Sequence, residues 1–127
     1  GDVYKRQQAH RLRPVVTARP GESLATVIQR MKQHDISQQP VVDDDERLVG
    51  MVMESDILSY MLGNSHLSFD QTTIEPLIRE AAVVEESTPL NTLSDVLQKA
   101  KAAVLVDDGR RVTGIITMID VIDFLAA

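Results

Sequence analysis

Few side chains in this sequence could carry chemistry. Its three histidines, His10, His34 and His66, stand far apart, and none pairs with another at helical i,i+4 spacing. Cysteine is absent, which removes thiolate nucleophiles, thiolate zinc sites and disulfides together. There is no Gly-rich phosphate loop and no Gly-x-Ser-x-Gly elbow. The densest acidic cluster is Asp43-Asp44-Asp45-Glu46. Read as a calcium loop with Asp43 first, it places Glu54 at the twelfth position, where a carboxylate belongs. The sixth position is then Leu48, where the loop needs glycine for its sharp turn. The cluster therefore reads as a solvated hairpin turn. No catalytic residue and no metal site is expected. Two other acids, Asp56 and Asp120, stand out because they occupy equivalent places in a repeat.

The elements that would position them follow from composition and pattern. The chain has 127 residues, a formal net charge of -6, 43% hydrophobic and 25% charged residues. That apolar fraction is enough to fold, and the length fits one domain or two small repeats. The acidic balance argues against a nucleic-acid partner. Apolar runs are too short for membrane insertion, and the polar, basic start has no signal-peptide core. With no cysteine, a reducing, cytoplasmic setting is expected. Residues 1–9 read as a leader or linker outside the fold.

Shifted by 64 residues, Val41–Leu62 meets Leu105–Ala126. Val42, Asp43, Asp44, Arg47, Gly50 and Asp56 recur as Val106, Asp107, Asp108, Arg111, Gly114 and Asp120. Each copy predicts the same order. A short strand opens it, Val15-Val16-Thr17 or Ala82-Val83-Val84. A helix follows, with Leu24, Val27, Ile28 and Met31 on one face in copy one and Leu90, Leu93 and Leu97 in copy two. Its start is marked by Pro20-Gly21-Glu22-Ser23, and by Ser87-Thr88-Pro89 with proline as the first helical residue. Two strands around a polar turn come next, then a final helix starting near Ser55-Asp56 or Ile119-Asp120. Gly63 reads as the residue just past the first such helix. Between the first helix and its following strand, copy one has two more residues than copy two, so the two loops must differ in shape. The expected fold is α+β: two β-α-β-β-α units, 10–63 and 81–127, packed sheet to sheet with pseudo-twofold symmetry. The stretch 64–80 is the linker, with its own apolar pattern at Ile74, Leu77 and Ile78.

These residues resemble a tandem pair of cystathionine-β-synthase (CBS) domains, the Bateman module. The resemblance rests on Ile36-Ser37-Gln38-Gln39-Pro40-Val41-Val42-Asp43, Leu48-Val49-Gly50-Met51-Val52 and Asp56-Ile57-Leu58, and in copy two on the run from Val112 to Leu125. It covers roughly residues 10–127. Copy two is most similar to the C-terminal tail of cystathionine β-synthase itself. The resemblance implies a regulatory module rather than an enzyme. It would sense an adenosyl ligand (S-adenosylmethionine, AMP, ADP or ATP) in a cleft between the repeats and adjust a host or partner protein. A pyridoxal-phosphate catalytic part has no room here, so the chain would be the regulatory part of such an enzyme or a stand-alone module. It would carry no cofactor of its own and would associate as a homodimer through its helices. The final helix, with Val121, Ile122, Phe124 and Leu125, could serve a partner as well as the core.

The resemblance also implies which residues bind. The family pattern sets a hydroxyl residue three places before the aspartate at the strand-to-helix corner, and copy two matches with Thr117, Ile119 and Asp120. A carboxylate can accept from both hydroxyls of a ribose, in charge-assisted bonds. The alternative is that Asp120 is a helix cap. Val15, Val16, Thr17, Ile36, Ser37, Gln38 and Gln39 would line the same cleft, with backbone groups reading the adenine edge and Ile36 against the ring. For Ile36 the alternative is ordinary core, and for Ser37 a turn residue. The second cleft would use Asp56, Val83, Lys101 and Ala102. It departs from the pattern, because Met53 replaces the hydroxyl residue and Glu54 adds negative charge. One competent site on Asp120 and a weak or empty one on Asp56 are expected. Acidic surroundings favour S-adenosylmethionine, while Arg13, Arg19 or Lys101 could serve a phosphate. The competing function is a ligand-free structural module that dimerises a cystathionine β-synthase-like enzyme.

Overall fold

The computed structural model describes residues 14–127. They divide into two compact units, Val16–Glu80 and Ala81–Ala127, with Val15 grouping with the second. Both are α+β. The first contains α1 (Leu24–His34), β1 (Gln38–Val42), β2 (Leu48–Met53), α2 (Glu54–Gly63) and a 3-10 turn at Glu75–Leu77. The second contains β3 (Val83–Val84), α3 (Leu90–Ala100), β4 (Ala102–Val106), β5 (Val112–Thr117) and α4 (Met118–Ala126).

The first helices form where apolar spacing and caps agree. Leu24, Val27 and Met31 of α1 are buried, and the Ser23 side chain caps the start by accepting from the Thr26 N–H. In α3, Leu93 and Leu97 are buried and Leu90 packs beside them. Pro89 is the residue before this helix rather than its first, a shift of one position. Both helices have 11 residues. The two extra residues of copy one are Ile36 and Ser37, between the cap Asp35 and β1. Asp35 is left-handed (φ 52°, ψ 53°), whereas Lys101 takes φ 72°, ψ -32° and leads straight into β4. The two loops differ in shape, as their lengths require.

The hairpins repeat each other closely. β1 pairs antiparallel with β2 and β4 with β5, with a register shift at Val41/Val42 and at Leu105/Val106. The acidic run is the turn. Asp43 Oδ1 accepts from the backbone N–H of Asp45 (2.9 Å) and Arg47 (3.0 Å). Asp107 Oδ1 does the same for Gly109 and Arg111, both at 2.9 Å. Backbone donation, chiefly from Arg47, holds the Asp43 carboxyl below its ordinary value. Glu46 and Arg110 both take φ 64°. An aspartate that organises its own turn explains this cluster without a metal.

The opening strand of copy two forms: β3 runs parallel to β4 in the order β3-β4-β5. That of copy one does not. Val15, Val16 and Thr17 are not in a strand, and only Ala18 makes a parallel bridge, to Val41. Its N–H donates to Pro40 O and its carbonyl accepts from the Val42 N–H, both at 2.9 Å. The rungs on either side would need an N–H from Pro40 and from Pro20, and proline has none. In copy two the residue equivalent to Pro40 is Val104, which donates to Ala82 O at 2.8 Å.

Gly63 is the last residue of α2, not the stop beyond it. Asn64 caps the helix, and its Nδ2 donates to Tyr60 O at 2.8 Å. The stretch 64–80 does more than connect. Thr72 O and Phe69 O accept from the N–H groups of Leu24 and Ala25 at the start of α1. Ile74 is fully buried in the first core with Leu24, Val27, Val41, Val52 and Ile57, and Leu77 and Ile78 pack against it. Val84, Leu93, Leu97, Leu105, Ile116 and Val121 form the core of the second unit.

Candidate functional site

The Asp120 corner is built where β5 ends and α4 begins. Thr117 is the residue before α4, and Asp120 lies in its first turn. The Thr117 N–H donates to Asp120 Oδ2 at 2.8 Å, and the Thr117 hydroxyl donates to the same oxygen at 3.0 Å. The pair forms a capping box. Both residues are half-buried, so the carboxylate is oriented yet reached by solvent. Ala102 stands opposite Thr117 in the β4–β5 ladder. Ile119 is exposed, as are Ile122 and Leu125, while Val121 is buried and Phe124 packs on the core. One face of α4 thus serves its own unit and the other presents apolar surface.

The equivalent corner at Asp56 is built differently. Met53 precedes α2 and makes no side-chain cap. The Asp56 carboxylate instead meets Arg79: Nε lies 2.8 Å from Oδ2, and an Nη donates to Oδ1 at 3.2 Å. Both carboxylate oxygens are engaged by one planar guanidinium. The first N–H of α2, at Glu54, donates to Ser37 O at 2.8 Å, which brings Ser37 beside this helix start. Gln38 stands opposite Met53.

The other candidates fall into several environments. Val15, Val16 and Thr17 are half-buried, and the Thr17 carbonyl accepts from Arg30 at 3.2 Å. Ile36 packs on the edge of the first core. The Ser37 hydroxyl donates to Gln38 Oε1 at 2.7 Å. Gln39 is fully buried, and its Nε2 donates to Val27 O at 2.9 Å, so its side chain is turned into the unit. Val83 and Lys101 are exposed, and Ala102 is buried. Arg19 is committed to the acidic turn, donating to Asp43 O, Asp44 Oδ1 and Glu46 Oε1 at 2.9–3.0 Å. Arg13 lies outside the described residues. Sequence reasoning missed Arg79: it stands 23 residues from Asp56, and no local pattern links them. Among the described residues no group of three or more His, Cys, Asp or Glu could hold a metal ion, and no helix is long and apolar enough to cross a membrane.

Two α+β units, each with a two-strand hairpin between helices and an aspartate in the first turn of its final helix, define a tandem regulatory-domain architecture. The CBS domain family matches residues 11–63 and 74–127, and the chain belongs to it. CBS domains are regulatory rather than catalytic. Over 119 residues, 94% of the chain, it is 34% identical to the inosine-5'-monophosphate dehydrogenase of Mycobacterium tuberculosis, of which it spans 22%. It is 28% identical over 111 residues to the L-aspartate semialdehyde sulfurtransferase of Methanocaldococcus jannaschii, covering 86% of the chain and 21% of that protein. The chain thus spans about a fifth of the length of these relatives. A CBS domain pair solved with 5-methylthioadenosine and S-adenosyl-L-methionine matches at TM-score 0.76 and 26% identity, covering 90% of each chain. A plant CBS-pair protein, CBSX2 of Arabidopsis thaliana, solved with AMP, shares the fold at TM-score 0.81 and 21% identity, over 99% of this chain and 97% of that one. The tail motif pointed to cystathionine β-synthase in particular, whereas these relatives are other enzymes. The structure explains why the motif is not specific to one host. Gly114, Thr117 and Asp120 are a strand residue, a cap and its box partner, so they report the fold.

Proposed function

We propose that this chain is a regulatory module that binds an adenosyl ligand at the Asp120 corner and adjusts a host or partner protein. The observation that carries the reading is the Thr117–Asp120 pair. A half-buried carboxylate, fixed by two donors on Oδ2 at the start of α4, is an oriented acceptor for ribose hydroxyls. Val15, Val16, Thr17, Ile36, Ser37, Gln38 and the backbone of Gln39 complete the proposed ligand-binding set. The ligand-bound CBS pair at 26% identity supports the adenosyl class. The acidic balance of the chain favours S-adenosylmethionine, a sulfonium cation, over ATP, AMP or ADP. The repeats are proposed at 10–63 and 81–127, the setting is cytoplasmic, and the host is a longer enzyme of the kind the relatives exemplify. The exposed face of α4 is proposed to pair two copies as a homodimer.

A thermal-shift and calorimetric series with S-adenosylmethionine, AMP, ADP and ATP tests this. At a hundredfold excess over Kd, binding adds about 2.7 kcal/mol to stability, a rise of several degrees in Tm. Asp120→Ala should abolish that rise and Thr117→Val should reduce it. A ligand-induced rise that survives Asp120→Ala refutes the site. A second reading rests on the same capping box: both bonds are purely structural, and the module dimerises its host without a ligand. No shift with any of the four compounds, in a folded chain, selects that reading.

A further inference from the structure

We infer that Arg79 closes the Asp56 corner by standing in for the ribose that such a corner would hold. The inference rests on the adenosyl reading of the Asp120 corner and extends it to the second aspartate. A vicinal diol offers two adjacent O–H donors to a carboxylate. Arg79 offers two adjacent N–H donors in a planar fork, one to each oxygen of Asp56, at 2.8 and 3.2 Å. The chemistry is the same, and the guanidinium adds a positive charge that a ribose lacks.

The backbone shows why this is more than a passing surface ion pair. Arg79 N–H donates to Met51 O at 2.9 Å, and Met51 N–H donates to Arg79 O at 2.8 Å. This exchange holds the chain at Arg79 against β2, three residues before the Glu54 start of α2. The approach is close enough that a Cβ on Gly50 would lie 2.5 Å from Arg79 O. The guanidinium is therefore delivered from a fixed point onto the aspartate. Met53, where the other corner has Thr117, supplies no hydroxyl to compete for the carboxylate. The Asp120 carboxylate is held by its own cap and the Asp56 carboxylate by a distant cation. The Arg79 side chain is 57% exposed, so the closure is screened by water and can be displaced.

The test is calorimetric titration of AMP and of S-adenosylmethionine into the folded chain in an Asp120→Ala background. Replacing Arg79 with Gln there should raise affinity about threefold to fivefold, the upper range for freeing a carboxylate from a solvent-screened ion pair. Adding Asp56→Ala should remove the gain. Arg79→Lys, which keeps the charge but not the fork, should give a smaller gain and guards against misfolding of the glutamine variant. Unchanged affinity in both Arg79 variants overturns the inference, as does a gain that persists without Asp56. The Asp120 reading is judged separately, by comparing the unsubstituted chain with Asp120→Ala.

Discussion

Gly50→Ala should destabilise the first unit far more than its chemistry suggests. An alanine Cβ here would lie 2.5 Å from Arg79 O and 2.6 Å from Ile78 Cγ2. Ordinary contact begins near 3.4 Å, so the backbone at Arg79 must retreat by about 0.9 Å. A retreat of that size breaks the Met51–Arg79 exchange, two hydrogen bonds worth about 1 kcal/mol each. Alanine in an unhindered strand would instead gain about 0.5 kcal/mol over glycine. The expected net loss is about 1.5 kcal/mol, or roughly 6 °C in Tm for a chain of this size. Urea unfolding followed by circular dichroism measures it. Adding Ile78→Ala should not rescue the variant, because the tighter contact is with a backbone oxygen. A loss below about 0.5 kcal/mol would refute the reasoning, since segment 78–79 would then move freely off β2.

Gly63→Ala should act in the opposite sense, because no atom lies within 4 Å of the added Cβ and the residue is helical. A gain of about 0.5–1 kcal/mol in urea unfolding is expected. Asp120→Ala should cost about 1 kcal/mol of stability without ligand, through loss of the capping box, and Asp120→Asn should cost less in the same assay. Glu22 is held below its ordinary value of 4.5, first by its hydrogen bond from Arg30. Its folded value is depressed, so the stability it contributes is full above about pH 4.5 and is lost as pH falls through the lowered value. Glu22→Gln should therefore flatten part of the acid limb of a Tm-against-pH profile below pH 4.5, and an unchanged limb would contradict the Arg30 pairing.

The legible parts of the fold were those set by local periodicity. Leu24, Val27 and Met31 announce one buried helix face, and Leu93 and Leu97 another, because side chains three and four apart share a stripe. Thr117 and Asp120 were legible for the same reason: a cap and its box partner are three residues apart. The failed strand at Val15–Thr17 was written in Pro20 and Pro40, but only pairing with β1 reveals which rungs those prolines delete. Gln39 looks polar in sequence, yet its alternate place on a strand turns it inward, where Val27 O accepts its amide. Arg79 was illegible because an ion pair across 23 residues depends on the chain folding back along β2. Gly50 recorded that fold-back, although a glycine in a strand does not say what comes close to it.

Gln38–Met53 and Ala102–Thr117 are the same length, shift register at the same step, turn on the same aspartate and bend at the same left-handed residue. Such segments are interchangeable parts. Grafting the tip Asp43–Arg47 onto Val106 and Val112, or the reverse, exchanges surface charge without altering either ladder. The net charge at each tip can then be redesigned independently of the core, and in copy one Arg19 would keep an aspartate equivalent to Asp44 but meet an arginine in place of Glu46.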